Sequence, residues 1–125
     1  MRRKIFFITC GVLLCMISYS SAAQRTGNDI INACPYVFDT DSAASPEKLF
    51  AATDCFGYVA GLNDMAVLLF GITGKSLYCL PKKEGLEGGQ VLRVFLKWLE
   101  EHPESLHESG RSLFVSAMGE AYPCE

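Results

Sequence analysis

Cys34, Cys55, Cys79 and Cys124 constrain this chain more than any other feature, because the compartment in which they fold decides what they become. The segment ahead of them answers that question. Met1-Arg2-Arg3-Lys4 is basic, Ile5 to Ile17 is an uncharged, mostly apolar run, and Ser20-Ser21-Ala22-Ala23 supplies small residues. Basic start, apolar middle and small-residue end read as a secretory signal peptide over residues 1–23, with cleavage after Ala22 or Ala23. A spanning anchor needs about 20 apolar residues, and this run has 13. Cys10 and Cys15 follow Ile8-Thr9 and Leu13-Leu14 rather than the small residues that precede a lipidated cysteine, so they read as apolar filler. An even number of cysteines in a small exported chain predicts disulfides.

A zinc site is the competing use of four cysteines. The chain has no CxxC pair, and its nearest two mature cysteines are 21 positions apart. His102 and His107 are five apart, not the four that puts two ligands on one helical face. No metal and no cofactor is expected. Arg2, Arg3 and Lys4 leave with the leader and no acid does, so the formal charge of −3 becomes −6. An acidic domain is a poor partner for nucleic acid, which needs Lys and Arg against its phosphates. It suits a basic protein partner better.

The remaining residues, 24–125, make one domain, and its periodicity is helical throughout. Thr26 and Asp29 form a loose capping box ahead of Ile30, Ile31 and Cys34, and Pro35 keeps this first helix short. Asp39 to Ser45 is a polar loop. Ser45-Pro46-Glu47 then opens a second helix with a cap residue, a proline at the first position and an acid in the first turn. Leu49, Ala52, Phe56, Val59, Asn63, Ala66 and Phe70 carry it to about Phe70. Gly57 and Gly61 lie one turn apart inside it, each costing roughly 1 kcal/mol against alanine, which predicts that another helix passes close by. Asp64 follows Gly61 by three and is expected to be a hydrogen-bonded polar group in that packed region.

Gly71 to Gly89 has five glycines and little periodicity. Such a long loop is uncommon in a compact domain unless it is functional or tied down, and Cys79 offers the tie. A third helix is expected from about Gln90 to Glu101, burying Val91, Val94, Phe95, Trp98 and Leu99. Pro103 ends it and starts a fourth, expected to run from about Pro103 to Ala121 with His102 as its cap and His107 packed or bonded to the preceding loop. The fold class is therefore all-α, a small four-helix domain stapled by two disulfides. The third and fourth helices are joined by almost nothing and should be antiparallel, which brings Cys124 back towards Cys79 and leaves Cys34 for Cys55. The other two pairings of four cysteines remain open.

Catalytic machinery is not visible. Oxidised cysteines are not poised thiolates. The serines at 105, 109, 112 and 116 lack the G-x-S-x-G elbow. Glu100 and Glu101 read as a solvated helix face, and Gly85-x-x-Gly88-Gly89 lacks both the preceding strand and the lysine–hydroxyl pair of a phosphate loop.

Several stretches carry a resemblance when taken in order: Cys55-Phe-Gly57-Tyr58-Val59-Ala-Gly61-Leu-Asn-Asp64, Cys79-Leu80-Pro81, Gln90-Val91 opening a helix, Leu99-Glu-Glu-His102-Pro103-Glu104-Ser-Leu106-His107, and Ala121-Tyr122-Pro123-Cys124. Together, over residues 28 to 124, they resemble the type VI secretion amidase immunity proteins of the Rap/Tai superfamily. The resemblance implies a periplasmic antitoxin that binds a cognate peptidoglycan amidase toxin and blocks its active-site cleft. It also implies a helical, exported, disulfide-bonded and often dimeric protein, hence a possible homodimer, with no enzyme activity and no membrane contact after leader cleavage. The glycines at 85 to 89 depart from the ordinary helix start expected of that family.

An inhibitor needs a rigid scaffold and a projecting element that has little entropy left to lose. The Cys79-anchored loop suits this, and Tyr78, Lys82, Lys83, Glu84 and Glu87 are its candidate partner contacts. The alternative function is a general periplasmic stress protein or chaperone. With two histidines, few groups titrate between pH 5 and 8 to switch it there.

Overall fold

The computed structural model describes residues 24–38, 45–81 and 86–124. The expected leader over residues 1–23, the polar loop before Ser45, Lys82 to Gly85 and Glu125 lie outside them. The described residues form four α-helices: α1 Gly27–Ala33, α2 Pro46–Thr73, α3 Gly88–Glu101 and α4 Gly110–Ala121. The described residues contain no strand, only an isolated bridge between Thr26 and Ser109.

Local chemistry sets most of the boundaries. At the start of α1 the Thr26 side chain accepts from the Asp29 backbone, and the Asp29 carboxylate accepts from the Thr26 backbone at 2.8 Å. The Thr26 backbone N–H first, and then its hydroxyl, donate to the Asp29 carboxylate and hold that carboxyl below its usual range. Pro35 has no N–H to give an α-helical turn, and the chain tightens into a 3-10 helix over Cys34–Phe38. Ser45 caps α2 by accepting from the Lys48 backbone, with Pro46 in the first turn. The helix continues past the expected Phe70 to Thr73, where Gly74 takes the left-handed conformation at φ 68° and donates to the Phe70 carbonyl at 2.8 Å. Only a residue without Cβ adopts that stop cheaply.

The expected continuous fourth helix is divided. Pro103–Ser105 forms one 3-10 turn, and α4 starts afresh at Gly110 with Ser109 as its cap. The reason lies in the segment from Arg25 to Asn28. Gly27 donates to the Glu108 carbonyl, Asn28 donates to that of Leu106, and Gly110 donates to that of Arg25. Backbone groups that a continuous helix would pair internally are engaged by this segment instead. The approach is close: a Cβ at Gly110 would meet the Ile30 side chain and would lie 2.9 Å from the Tyr58 hydroxyl.

The core sits between α3 and α4 and is closed by Ile30 of α1 and by Cys55 and Val59 of α2. Phe95 and Phe114 meet edge to face at 5.3 Å, and Tyr78 meets Phe114 the same way at 6.1 Å. The buried face of α3 is Val91, Leu92, Phe95, Leu96 and Leu99. Val94 and Trp98, expected inside, lie at its half-buried edge, where the Trp98 indole donates to Glu120 at 2.8 Å. Tryptophan favours such a border because its N–H then keeps a partner. The disulfides are Cys34–Cys55 and Cys79–Cys124, the pairing favoured by the helix order.

One packing expectation is overturned. A Cβ at Gly57 or at Gly61 would meet nothing within 4 Å among the described residues. No helix among the described residues crosses them there, because the core approaches α2 from the opposite side, through Cys55, Val59 and Ala66. Asp64 is likewise exposed rather than enclosed in packing.

Candidate partner-binding surfaces

The first surface is the connection between α2 and α3. Its N-terminal part is fixed at several points. Tyr78 is only 7% exposed, and its hydroxyl donates to the Asn63 Oδ1 at 2.9 Å. Burial pushes the Tyr78 phenol above its ordinary pKa, so it is a neutral hydrogen-bond donor at physiological pH. The next residue, Cys79, donates its backbone N–H to the Tyr122 carbonyl at 2.8 Å and is bonded to Cys124. The segment is thus pinned both to α2 and to the end of α4.

The sequence-derived contact residues separate here. Tyr78 faces the core and holds the segment in place rather than projecting from it. Glu87, at the far end, is exposed, with the extended backbone of a helix cap and no capping bond from its side chain. Lys82, Lys83 and Glu84 lie outside the described residues. Between the end of α2 and this segment is an apolar cleft of about 410 Å³, bordered by Ala66, Val67, Phe70, Leu77 and Leu80.

The second surface was not anticipated. The side of α2 away from the core carries Phe50, Gly57, Gly61, Leu68 and Ile72, spaced alternately by seven and four residues. That spacing keeps them on one stripe of a helix. Phe50 is 74% and Ile72 73% exposed, and Met65 and Leu68 are exposed beside them. A helix apolar on every side is normally enclosed, and α2 is long and apolar enough to cross a membrane by length and composition. Its attachment to the core through the Cys34–Cys55 disulfide shows that one side belongs to the globular domain. A usable signal was present in the sequence: the seven-and-four stripe runs out of phase with Cys55, Val59 and Ala66.

A third feature fixes the start of the domain. The Arg25 guanidinium pairs with Asp54 at 2.5 Å and lies 4.9 Å from the centre of the Tyr58 ring. Desolvation raises the Tyr58 pKa, and the charges of Arg25 and Arg111 oppose that rise.

The groups that might have carried chemistry are placed in structural roles. His102 stacks on Trp98 at 4.0 Å, and its Nδ1 lies 2.8 Å from the Trp98 carbonyl. It occupies the cap position before Pro103, but its side chain makes no capping bond. His107 Nδ1 lies 3.0 Å from the Glu104 carbonyl, a bond to the preceding turn as expected. The Ser109 and Ser112 hydroxyls bond each other at 2.7 Å within the helix cap. Among the described residues no cluster of three His, Cys, Asp or Glu could hold a metal.

Comparison with known proteins agrees with this framework. The family model of the Rap1a immunity proteins matches residues 26–124, from the cap of α1 to the last cysteine. No curated protein matches the chain.

Proposed function

Because the chain belongs to the Rap1a immunity protein family, whose members bind cognate effector toxins, we propose that it is a periplasmic inhibitor of a type VI secretion peptidoglycan amidase. It binds the toxin stoichiometrically, occludes the active-site cleft and protects the producer's cell wall. The observation that carries this reading is the family match, which spans all four helices and both disulfides. Disulfides also fit export, because they persist in oxidising compartments such as the periplasm.

The inserting element in this reading is the connection that follows Cys79. Its anchored beginning lowers the entropy lost on binding. Lys82, Lys83, Glu84 and Glu87 supply the contacts, and Tyr78 positions them from beneath. The outward stripe of α2 forms a homodimer. An antiparallel second copy centred on Gly61 would set Phe50 opposite Ile72 and Gly57 opposite Met65. This matches small to large, as a self-complementary two-fold contact requires.

A pull-down tests the reading. The mature domain, from Gln24 to Glu125 with its disulfides formed, is exposed to periplasmic and secreted proteins of the source strain and its siblings. Recovery of one amidase in a stable, inactive complex is expected, and Lys82→Ala with Lys83→Ala should weaken that complex. Unchanged affinity in this double variant would exclude the loop as the contact. The exposed apolar stripe of α2 favours one other reading, a periplasmic chaperone, and recovery of many unrelated proteins would transfer the function to it.

A further inference from the structure

The two disulfides sit in opposite environments. Cys34 and Cys55 are each 1% exposed and belong to the hydrophobic core. Cys79 and Cys124 are both exposed residues, beside the end of α4. Thiol–disulfide exchange needs a thiolate to reach one sulfur of the bond, so access governs its rate along with the chemistry of the thiols. The core pair can be reached only when the domain opens. The surface pair can be reached in the folded state.

What the surface bond holds is limited. It ties Tyr78–Pro81 to the segment Tyr122–Cys124 beyond α4, alongside the backbone bond from Cys79 to Tyr122. Tyr78 has anchors of its own besides that bond, the hydrogen bond to Asn63 and the ring contact with Phe114. Opening it therefore frees a segment rather than the fold.

We propose that Cys79–Cys124 is a site of reversible thiol–disulfide exchange with a dithiol reductant, opening while Cys34–Cys55 stays closed. In the first step a reductant thiolate attacks one Sγ of the pair. The Sγ–Sγ bond breaks, the other sulfur leaves as a thiolate, and water protonates it. In the second step the reductant's other thiolate attacks its own sulfur in the mixed disulfide and releases the second protein thiolate. The protein gains two electrons and two protons, and the reductant ends as its own disulfide. If the inhibitor reading holds, on which this consequence rests, exchange loosens the anchored end of the binding element and weakens the hold on the toxin.

The test is graded dithiothreitol on the folded, oxidised mature domain, followed by an iodoacetamide pulse and peptide mass spectrometry. Cys79 and Cys124 should become alkylated at a reductant concentration at least ~10-fold below that needed for Cys34 and Cys55, as expected where access differs this much. Simultaneous alkylation of all four, or earlier alkylation of the core pair, would overturn the proposal. Circular dichroism of Cys79→Ser with Cys124→Ser should retain the helical signal, and its loss would also contradict a locally acting bond. The amidase recovered by the pull-down then separates the two claims. Selective alkylation with unchanged amidase affinity would refute the effect on binding. An oxidised protein that holds no amidase would refute the inhibitor reading and leave the exchange site to stand on the alkylation result.

Discussion

The α3–α4 pair and the outward stripe of α2 are both apolar, yet they meet different fates. Between α3 and α4, Phe95, Leu99, Phe114, Ala117 and Met118 are closed off from water. On α2, Phe50, Leu68 and Ile72 face outwards around two glycines with open space above them. The contrast teaches that apolar spacing locates a surface that needs covering, but not whether the same chain covers it. Around α3 the neighbouring helix is supplied by the chain itself. On the outer side of α2 nothing among the described residues does so, and a second copy is the partner proposed above.

The largest effect should come from the covered side. Phe95→Ala should cost about 3–5 kcal/mol, read as a lower urea midpoint. Removing the core disulfide with Cys34→Ser and Cys55→Ser should cost about 2–5 kcal/mol in the same assay. A pair of glycines gives a difference of sign. Gly110→Ala forces a Cβ into Ile30 and the Tyr58 hydroxyl and should destabilise by about 1–3 kcal/mol. Gly57→Ala meets open space and should stabilise the isolated chain by about 1 kcal/mol, while weakening self-association in sedimentation. If Gly57→Ala were instead destabilising in dilute monomer, α2 would have a neighbour that the contrast denies. Leu68→Glu with Ile72→Glu should leave monomer stability within about 0.5 kcal/mol, as for exposed positions, and should abolish any dimer.

The smallest effect concerns the α1 cap. The Asp29 carboxyl is held below its unfolded pKa of about 3.9. Its stabilising contribution is therefore complete above that value and is lost as pH falls through the lower folded pKa. The stability gap between the native chain and Asp29→Asn should narrow below about pH 4, measured by denaturation at a series of pH values.

Much of the fold was legible because short-range chemistry decided it. Thr26 with Asp29, Ser45 with Pro46, and the spacing of Val91, Phe95 and Leu99 each point to one local structure. The order of the helices favoured the disulfide pairing that is found without closing the other two. The break before Ser109 was not legible, since the acceptors at Leu106 and Glu108 are used by Asn28 and Gly27, far earlier in the chain. The inward turn of Tyr78 was hidden for a similar reason: Asn63 and Phe114, its partners, come from two other helices. Gly57 and Gly61 predicted a close approach that no described helix makes, and only in the proposed dimer would a second copy make it.

The central claim, stoichiometric inhibition of a peptidoglycan amidase, is tested most directly by titrating the oxidised mature domain into the amidase recovered with it while cleavage of peptidoglycan stem peptides is followed. Activity should fall linearly and reach zero near one chain per toxin. Full cleavage in the presence of excess protein would contradict the claim.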